Sequence, residues 1–185
     1  MITPIPKNFK GLITITGPTR SGKSKLAEFL IQNQESVTYI ATSRPRPNDP
    51  EWQRRIDIHR KRRPDKWGLI EHPNDICKSI DSINGKESVL IDSLGGLVEH
   101  QLNESDFQWE IFQNKFLHCL TENDLCIVIV SEEVGWGIVP ATAIGHLFRE
   151  RQSRLSSLIN RISNKRWLAL NGIAIDIDKI GDLIP

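Results

Sequence analysis

The fold is decided by residues 11–32, which read GLITITGPTRSGKSKLAEFLIQ. The segment opens with a short apolar run at residues 12–16, which predicts a buried strand, and leads into a helix predicted over residues 23–34 from its apolar spacing. Between the two lies GPTRSGKS, residues 17–24, which fits the pattern G-x-x-x-x-G-K-[ST] in full. A strand, this loop and a helix in that order predict a site for the phosphates of a nucleotide.

The residue types of this phosphate loop (residues 17–24) suit a triphosphate. Its glycines let the backbone turn its N–H groups toward phosphate oxygens, at the positive end of the following helix. Lys23 is predicted to reach the β and γ phosphates, and Ser24 to bind Mg²⁺ through its hydroxyl. The alternative is a glycine-rich turn without a ligand, against which the strand and helix on either side argue. The predicted nucleotide-binding residues of the loop are Gly17, Pro18, Thr19, Arg20, Ser21, Gly22, Lys23 and Ser24.

Short apolar runs alternate with helical patterns along the rest of the chain. Strands buried on both faces are predicted at residues 12–16, 37–41, 89–91, 125–130 and 167–170. Helices are predicted at residues 23–34, 51–63, 73–83, 107–120 and 142–162. The alternation predicts an α/β fold, a RecA-like P-loop NTPase with a mostly parallel central sheet flanked by helices. Loops at residues 43–50 and 131–140 follow strands, where open α/β sheets bind ligands.

The composition narrows the class of protein. A length of 185 residues predicts one domain over residues 1–185, and 24 Lys+Arg against 23 Asp+Glu give the whole chain no bias toward nucleic acid or membranes. No apolar run approaches the ~18 residues of a membrane span, and the first residues do not read as a signal peptide, so we expect a cytoplasmic protein. Cys77, Cys119 and Cys126 lack the spacing of a zinc or redox motif and are predicted to be buried, reduced thiols.

Asp92 is the candidate for the second half of the metal site. It ends the apolar run at residues 89–91, and an acidic residue at the end of a neighbouring strand commonly holds the metal in P-loop enzymes. The alternative is that Asp92 or Ser93 caps a helix that begins near Gly95. The two roles are compatible.

A basic segment, RRIDIHRKRRPDK, occupies residues 54–66. Three interpretations of it stay open: a solvated helix face, a nucleic-acid surface, or a site for triphosphate or pyrophosphate beside the phosphate loop. In the third, His59 is a candidate nucleophile, because a neutral imidazole can attack the α-phosphorus of a nucleoside triphosphate and expel pyrophosphate. The surrounding cations would stabilise the departing charge. The alternative for His59 is a solvated side chain without a chemical role.

Several motifs together resemble one family of enzymes. They are GPTRSGKS at 17–24, YIATS at 39–43, EWQRRIDIHRKRRPDKW at 51–67, LIDSL at 90–94, EEVGWGIVP at 132–140 and HLFRE at 146–150. In order and spacing the set resembles the bifunctional adenosylcobinamide kinase/adenosylcobinamide-phosphate guanylyltransferase family of cobalamin biosynthesis, over about residues 11–172. This resemblance is far more specific than the phosphate loop, which many unrelated NTPases share.

The resemblance implies two reactions that use Mg²⁺ with GTP or ATP. A nucleoside triphosphate phosphorylates the aminopropanol hydroxyl of adenosylcobinamide, and GTP then donates GMP through a guanylyl-histidine. It implies that His59 carries GMP, that Lys23 is catalytic, and that Ser24 and Asp92 hold the metal. It also implies a homo-oligomer, specifically a homotrimer. Nucleotide contacts outside the loop are implied for Thr42, Ser43, Arg44, Lys61, Arg62, Arg63, Pro64, Glu71 and Asp92.

Five positions depart from the pattern of that family. Glu132 stands in place of the asparagine in N-E-V-G, and His100 replaces another asparagine. Ser156 and Ser157 replace Asn-Gln, and Asp176 stands where lysine is common. A carboxylate in place of an amide beside a phosphate site predicts repulsion instead of a donor. The departures therefore concern the corrinoid or second substrate more than nucleotide binding.

Two other functions stay open on the sequence. One is a P-loop small-molecule kinase in which His59 is idle and no guanylyl transfer occurs. The other is an NTP-dependent nucleic-acid-binding protein that uses residues 54–66, although the chain carries no recognised nucleic-acid motif. Among the tryptophans, Trp136 is the candidate for a ligand surface, because it lies in a glycine-containing loop after a strand.

Overall fold

The computed structural model describes residues 2–83, 85 and 87–184. Its strands are β1 (Gly11–Gly17), β2 (Val37–Ala41), β3 (Gly68–Glu71), β4 (Ser88–Asp92), β5 (Cys126–Glu132), β6 (Lys165–Leu170) and β7 (Ile173–Asp176). Its helices are α1 (Lys23–Ile31), α2 (Pro50–Arg62), α3 (Ile76–Asp81), α4 (Leu94–His100), α5 (Asp106–Glu122) and α6 (Ala143–Ile162), with a 3₁₀ turn at Ile177–Lys179.

All seven strands form one sheet in the order β3-β2-β4-β5-β1-β6-β7. Neighbouring strands are parallel except for the antiparallel pair β6 and β7. The predicted α/β fold with a mostly parallel sheet is therefore confirmed. Because β5 lies between β1 and β4, the phosphate loop after β1 and Asp92 at the end of β4 flank the end of β5. The carboxyl ends of these three strands form the edge at which the site is built.

The two faces of the sheet carry separate hydrophobic cores. Successive residues of a strand point to opposite faces, so Ile13 and Ile15 of β1 pack against α1 while Leu12 belongs to the other core. That second core is formed by α3, α4, α5 and α6, with Phe116 of α5 fully buried in it. Burial of each strand on both faces explains the continuous apolar runs of the sequence.

Two short strands, β3 and β7, were not predicted, and α4 was expected only in the alternative in which Asp92 or Ser93 caps a helix beginning near Gly95. Both strands have only four residues and lie at the edges of the sheet, where exposed positions interrupt the apolar pattern. The helix α4 has seven residues and begins with Leu94 followed by two glycines, which disfavour helix by propensity. These elements form because the rest of the sheet and its helices are already in place beside them.

Two predicted details of the secondary structure are wrong. The strand at residues 167–170 was expected to be buried on both faces, but in β6 only Ala169 is buried, since β6 lies one strand from the sheet edge. The helix at residues 73–83 begins late, at Ile76, because Asp75 is its N-cap and accepts hydrogen bonds from the N–H groups of Cys77 and Lys78.

The predictions for the thiols agree with the structure, since Cys77, Cys119 and Cys126 are buried and free. Across the described residues, no helix has the length and apolar character needed to cross a membrane.

The assignment of the second core can be tested with two phenylalanines of α5. Phe116 is 0% exposed and Phe107 is 68% exposed. Phe116→Ala should lower the free energy of unfolding by about 3–5 kcal/mol, because it removes a large buried side chain and leaves a cavity. Phe107→Ala, the matched control, should change it by less than about 0.5 kcal/mol. Urea unfolding followed by circular dichroism measures both, and equal losses would contradict the assignment.

Candidate nucleotide site

The phosphate loop joins β1 to α1 in a conformation that depends on glycine at its first position. Gly17 has a φ of +152°, and a Cβ atom there would lie 2.2 Å from the carbonyl oxygen of Ala169. Only glycine therefore allows β1 to turn into the loop so close to β6. Gly22 is the N-cap of α1, and the last two residues of the phosphate loop, Lys23 and Ser24, begin that helix. The positive end of α1 therefore faces the space that the loop encloses.

Lys23 is buried at the start of α1 and reaches back across the loop. Its Nζ donates a hydrogen bond to the carbonyl oxygen of Pro18 at 2.7 Å. Burial lowers the pKa of Lys23, whereas the nearby carboxylates of Glu132 and Asp92 act in the opposite direction. The ammonium group is therefore held above the loop, among carboxylates that favour its charged form.

Asp92 is a largely buried carboxylate that several polar side chains surround. Its side chain is 11% exposed, and the hydroxyl of Tyr39 donates to its Oδ2 at 2.7 Å. The Nδ1 atom of His59 lies 3.6 Å from the same oxygen, and the side chain of Ser24 also acts on this carboxylate. Burial alone would raise the pKa of Asp92, but the hydrogen bonds and charge of these partners outweigh it and lower the pKa. Asp92 is thus held as an anion beside the phosphate loop.

Tyr39 is a residue of the site that sequence analysis missed. It lies on β2, the strand beside β4, at the register position opposite Leu90, so its ring extends along the sheet toward the end of β4. Burial, followed by the charge of Asp92, raises its pKa well above the ordinary value, which keeps the hydroxyl protonated as a donor. The signal in the sequence was the tyrosine itself, whose hydroxyl needs a hydrogen-bond partner when it lies in a buried, mostly apolar strand.

His59 reaches Asp92 from α2, a helix that buries none of its residues. The helix begins where Asp49 accepts a hydrogen bond from the N–H of Trp52, with Pro50 at its first position. The imidazole of His59 is 19% exposed, and its Nδ1 lies 3.5 Å from a guanidinium nitrogen of Arg62. The structure therefore places the candidate nucleophile at the edge of the site, with an anion and a cation near one ring nitrogen.

Polar contacts at both ends hold α2 over the phosphate loop. At its start, Glu51 pairs with Arg20 of the loop at 2.7 Å. At its end, Arg62 pairs with Glu28 of α1 at 2.9 Å. Just beyond the helix, the guanidinium of Arg63 lies 4.3 Å from the centre of the Tyr39 ring. Because these contacts lie near the surface, α2 is attached by charge and not by a hydrophobic core.

The remaining predicted contacts are less closely grouped. Thr42 is buried, and its hydroxyl donates to the carbonyl of Ser93 at 2.5 Å while its oxygen accepts from the N–H of Ser93 at 2.8 Å. Glu71 is exposed at the end of β3, with β2, β4 and β5 between it and β1. The structure therefore brings the loop, Asp92 and His59 together but leaves Glu71 at the periphery. Ser43 is half-buried, and Arg44, Lys61 and Pro64 are exposed.

Glu132, one of the positions that depart from the family pattern, is held by hydrogen bonds at the start of α4. Its side chain accepts hydrogen bonds from the hydroxyl of Ser93 and from the N–H of Gly95, the latter at 2.9 Å. Both carboxylate oxygens are thus bound at the start of α4, although burial raises the pKa of this group. Ser93 is the N-cap residue of α4 but makes no side-chain cap bond. Glu132 takes the capping role that the sequence offered to Asp92 or Ser93.

Ser24 and Asp92 are the candidate metal ligands. Both offer hard oxygen atoms of the kind Mg²⁺ prefers, and Ser24 helps to lower the pKa of Asp92. Within residues 2–83, 85 and 87–184, no group of three or more His, Cys, Asp or Glu side chains could hold a metal. Mg²⁺ usually takes few protein ligands and completes its shell with water and phosphate oxygens. The donor set therefore fits an ion that binds together with the triphosphate.

The fold and the site define the chain as a P-loop nucleotide-binding enzyme. Among solved structures, the P4 protein from bacteriophage phi6 in complex with ADP has a similar fold, with a TM-score of 0.50 and 13% identity. That similarity covers 92% of this chain and 55% of the other.

The sequence comparisons identify the family more closely. A sequence model of the cobinamide kinase/cobinamide phosphate guanyltransferase family matches residues 13–177, so the chain belongs to this family of transferases. The bifunctional adenosylcobalamin biosynthesis protein CobU of Escherichia coli K12 is 32% identical over 181 residues, covering 90% of this chain and 99% of the relative. Its counterpart CobP of Pseudomonas aeruginosa PAO1 is 37% identical over 138 residues, covering 73% and 77%.

The contact between Tyr39 and Asp92 should be visible in stability. Tyr39→Phe should lower the free energy of unfolding at pH 7 in EDTA by about 1.5–3 kcal/mol, the size of a hydrogen bond to a charged group. Because the folded-state pKa of Asp92 is lowered, this stabilisation is present above the ordinary value of 3.8 and is lost as the pH falls through the folded pKa. The loss should therefore shrink below about pH 3.8.

Urea unfolding at pH 7, 5 and 3 measures this dependence. In an Asp92→Asn background, Tyr39→Phe should cause the same loss at every pH, because no carboxylate remains to titrate. A loss that does not vary with pH while Asp92 is present would show that the hydroxyl does not stabilise the ionised form.

Proposed function

We propose that this chain is a cobinamide kinase and cobinamide-phosphate guanylyltransferase, in which His59 carries GMP. The observation that supports the proposal best is the position of His59, whose Nδ1 lies 3.6 Å from Asp92, which in turn contacts Ser24 of the phosphate loop. A triphosphate bound by the loop would have its phosphates within reach of the imidazole. Membership of the family supplies the substrate class, and the geometry supplies the nucleophile.

The kinase reaction requires positioning and charge neutralisation more than covalent chemistry. The N–H groups of the phosphate loop and the ammonium of Lys23 hold the β and γ phosphates, while Ser24 and Asp92 would hold Mg²⁺, which neutralises charge on the phosphates. The alcohol oxygen attacks the γ-phosphorus and the bond from this phosphorus to the β–γ bridging oxygen breaks. The nucleoside diphosphate leaves, and the proton of the hydroxyl is released to water. His59 takes no part in this reaction.

The guanylyl transfer uses the imidazole twice. Asp92 at 3.6 Å favours a proton on Nδ1, whereas the guanidinium of Arg62 at 3.5 Å could only donate to that nitrogen. We propose the tautomer with the proton on Nδ1 toward Asp92, which leaves the lone pair on Nε2 as the nucleophile. Nε2 attacks the α-phosphorus of GTP, the bond to the β-phosphate breaks, and pyrophosphate departs. A phosphate oxygen of cobinamide phosphate then attacks the same phosphorus, breaks the N–P bond and regenerates the imidazole. Arg62, beside His59, and Arg63, stacked on Tyr39, are the cations proposed to stabilise the departing pyrophosphate.

The arginines also bear on the nucleic-acid alternative. Arg62 is paired with Glu28, and Arg63 is stacked on Tyr39, so these two cations lie beside the candidate site. The same segment also exposes Arg54, Arg55, Arg60, Lys61 and Lys66 to solvent, as a surface for the nucleic-acid backbone would. The positions of Arg62 and Arg63 support a nucleotide as the anionic partner of these two residues. The homotrimer implied by the resemblance stays a prediction.

The role of His59 can be tested by labelling. The native chain, incubated with α-³²P-labelled GTP and Mg²⁺ and separated on a denaturing gel, should carry a label that is acid-labile and base-stable. His59→Ala should abolish the label and keep the kinase reaction, because phosphoryl transfer does not pass through the imidazole. The matched control is His118→Ala, since this side chain is 76% exposed on α5 and lies outside the site. A native chain that binds GTP without becoming labelled would instead favour a small-molecule kinase.

Lys23 should be required for both reactions. Lys23→Ala removes a buried ammonium group from the phosphates, and loss of one preorganised donor of this kind typically costs about 10²–10³-fold in kcat. Lys25→Ala removes the same side chain from an exposed position two residues away and should leave both rates unchanged. The measurement is the initial rate of cobinamide phosphorylation and of GMP transfer. Equal effects of the two substitutions would contradict the assignment.

A further inference from the structure

A polar groove of about 330 Å³ lies beside the phosphate loop and is used by neither step described above. We call it the α6 groove. Its lining includes Thr16 and Glu133 from the sheet edge and Ser153, Ser156 and Ser157 from α6. The hydroxyls of Ser153 and Ser157 form no hydrogen bond to any other described residue, and both residues are exposed. The groove therefore offers free hydroxyl groups to a ligand.

The position of the α6 groove relates it to the phosphates. Thr16 directly precedes the loop, and the N–H of Glu133 donates to the carbonyl of Gly17 at 2.9 Å. Ile13 and Ile15 face α1, which begins with Lys23 and Ser24, whereas Thr14 bonds to Asn160 of α6 on the opposite face. The groove and the positive end of α1 thus lie on opposite faces of β1 and meet at the first residue of the loop. A ligand in the groove would approach the phosphates from the far side of the sheet.

The charge of the groove makes it unsuitable for a second triphosphate. Glu133 contributes a carboxylate, one oxygen of which accepts from the N–H of Gly135 at 2.7 Å, whereas both oxygens of Glu132 are bound at the start of α4. The cation of Arg166 is already committed, because its Nε donates to the carbonyl of Asn160 at 2.6 Å and its guanidinium pairs with Asp178 at 2.8 Å. A carboxylate accepts hydrogen bonds from hydroxyl and carboxamide groups and repels phosphates, and serine hydroxyls can pair with the same neutral groups. The groove therefore fits a neutral or cationic ligand that is rich in such donors.

We propose that the α6 groove binds the hydroxyl-bearing arm of the acceptor alcohol, together with neighbouring carboxamide groups, and presents that hydroxyl to the γ-phosphate. This inference rests on the proposed kinase function. Cobinamide has the required chemistry, since it is an alcohol on a cationic cobalt macrocycle with carboxamide side chains. A groove of about 330 Å³ accommodates an arm of this molecule and leaves the macrocycle at the surface. Charge thus separates the substrates, with the triphosphate on the α1 side and the alcohol on the α6 side.

Filling the groove should affect the acceptor selectively. Ser157→Trp places a large side chain in the α6 groove from an exposed helix position, where it does not disturb the core. The KM for adenosylcobinamide in the kinase assay should rise at least tenfold, while the Kd for GTP stays within twofold. Ser36→Trp is the matched control, because Ser36 is exposed beside the amino end of β2, at the opposite edge of the sheet. This control should leave both constants unchanged.

Each outcome decides between the proposals. A folded Ser157→Trp chain with an unchanged KM for adenosylcobinamide would overturn the groove assignment while leaving the kinase function intact. A native chain that binds GTP but does not phosphorylate adenosylcobinamide would overturn the proposed function itself, and with it the inference.

A second measurement keeps the inference testable if Ser157→Trp does not fold. Hydrogen exchange of the native chain with adenosylcobinamide alone should slow at residues 150–160 of α6 and stay unchanged at residues 107–115 of α5. Protection that is absent from residues 150–160, at ligand concentrations above the measured KM, would overturn the assignment.

Discussion

The carboxylate of Asp92 imposes the constraint around which the candidate site is organised. A carboxylate at the end of a central strand loses most of its water, and burial of such an anion is costly unless donors replace that water. Its polar neighbours come from separate elements: the hydroxyl of Tyr39 on β2 donates to it, Nδ1 of His59 on α2 lies 3.6 Å away, and Ser24 of α1 helps to lower its pKa. One buried charge thus brings residues of three elements together at the end of β4. The helix that carries His59 has no buried residue, so this contact and its ion pairs determine where it lies.

The arrangement separates charge across the sheet edge. Lys23, Arg62 and Arg63 lie on the side of α1 and α2, where an anionic triphosphate is stabilised. On the side of α6 the sheet edge presents Glu133 and serine hydroxyls. One sheet edge can therefore serve a donor and an acceptor of different charge without competition for the same surface.

The predictable part of the site was the part encoded locally. The phosphate loop, the strand before it and the helix after it are contiguous, so spacing alone predicted them, and the apolar runs of β2, β4 and β5 predicted the parallel sheet. The role of Tyr39 could not be predicted, because it depends on β2 pairing with β4 instead of with β1. The hydrogen bonds of Glu132 could not be predicted for a similar reason, since its partners Ser93 and Gly95 lie nearly forty residues away in the sequence. Three residues that depart from the family pattern line the α6 groove together: Glu132, Ser156 and Ser157. Only folding brings them to the same place.

The turn between β4 and α4 shows how that long-range packing supports the chemistry. Thr42 bonds both the N–H and the carbonyl of Ser93, and Glu132 binds the start of α4 from the other side. Gly96 makes the first contact possible, because a Cβ atom there would lie 2.3 Å from the hydroxyl oxygen of Thr42. Asp92 therefore sits directly before a turn that is clamped by β2 and β5. The metal and imidazole roles proposed for Asp92 would require such a fixed support, and here the support is made by residues that have neither proposed role.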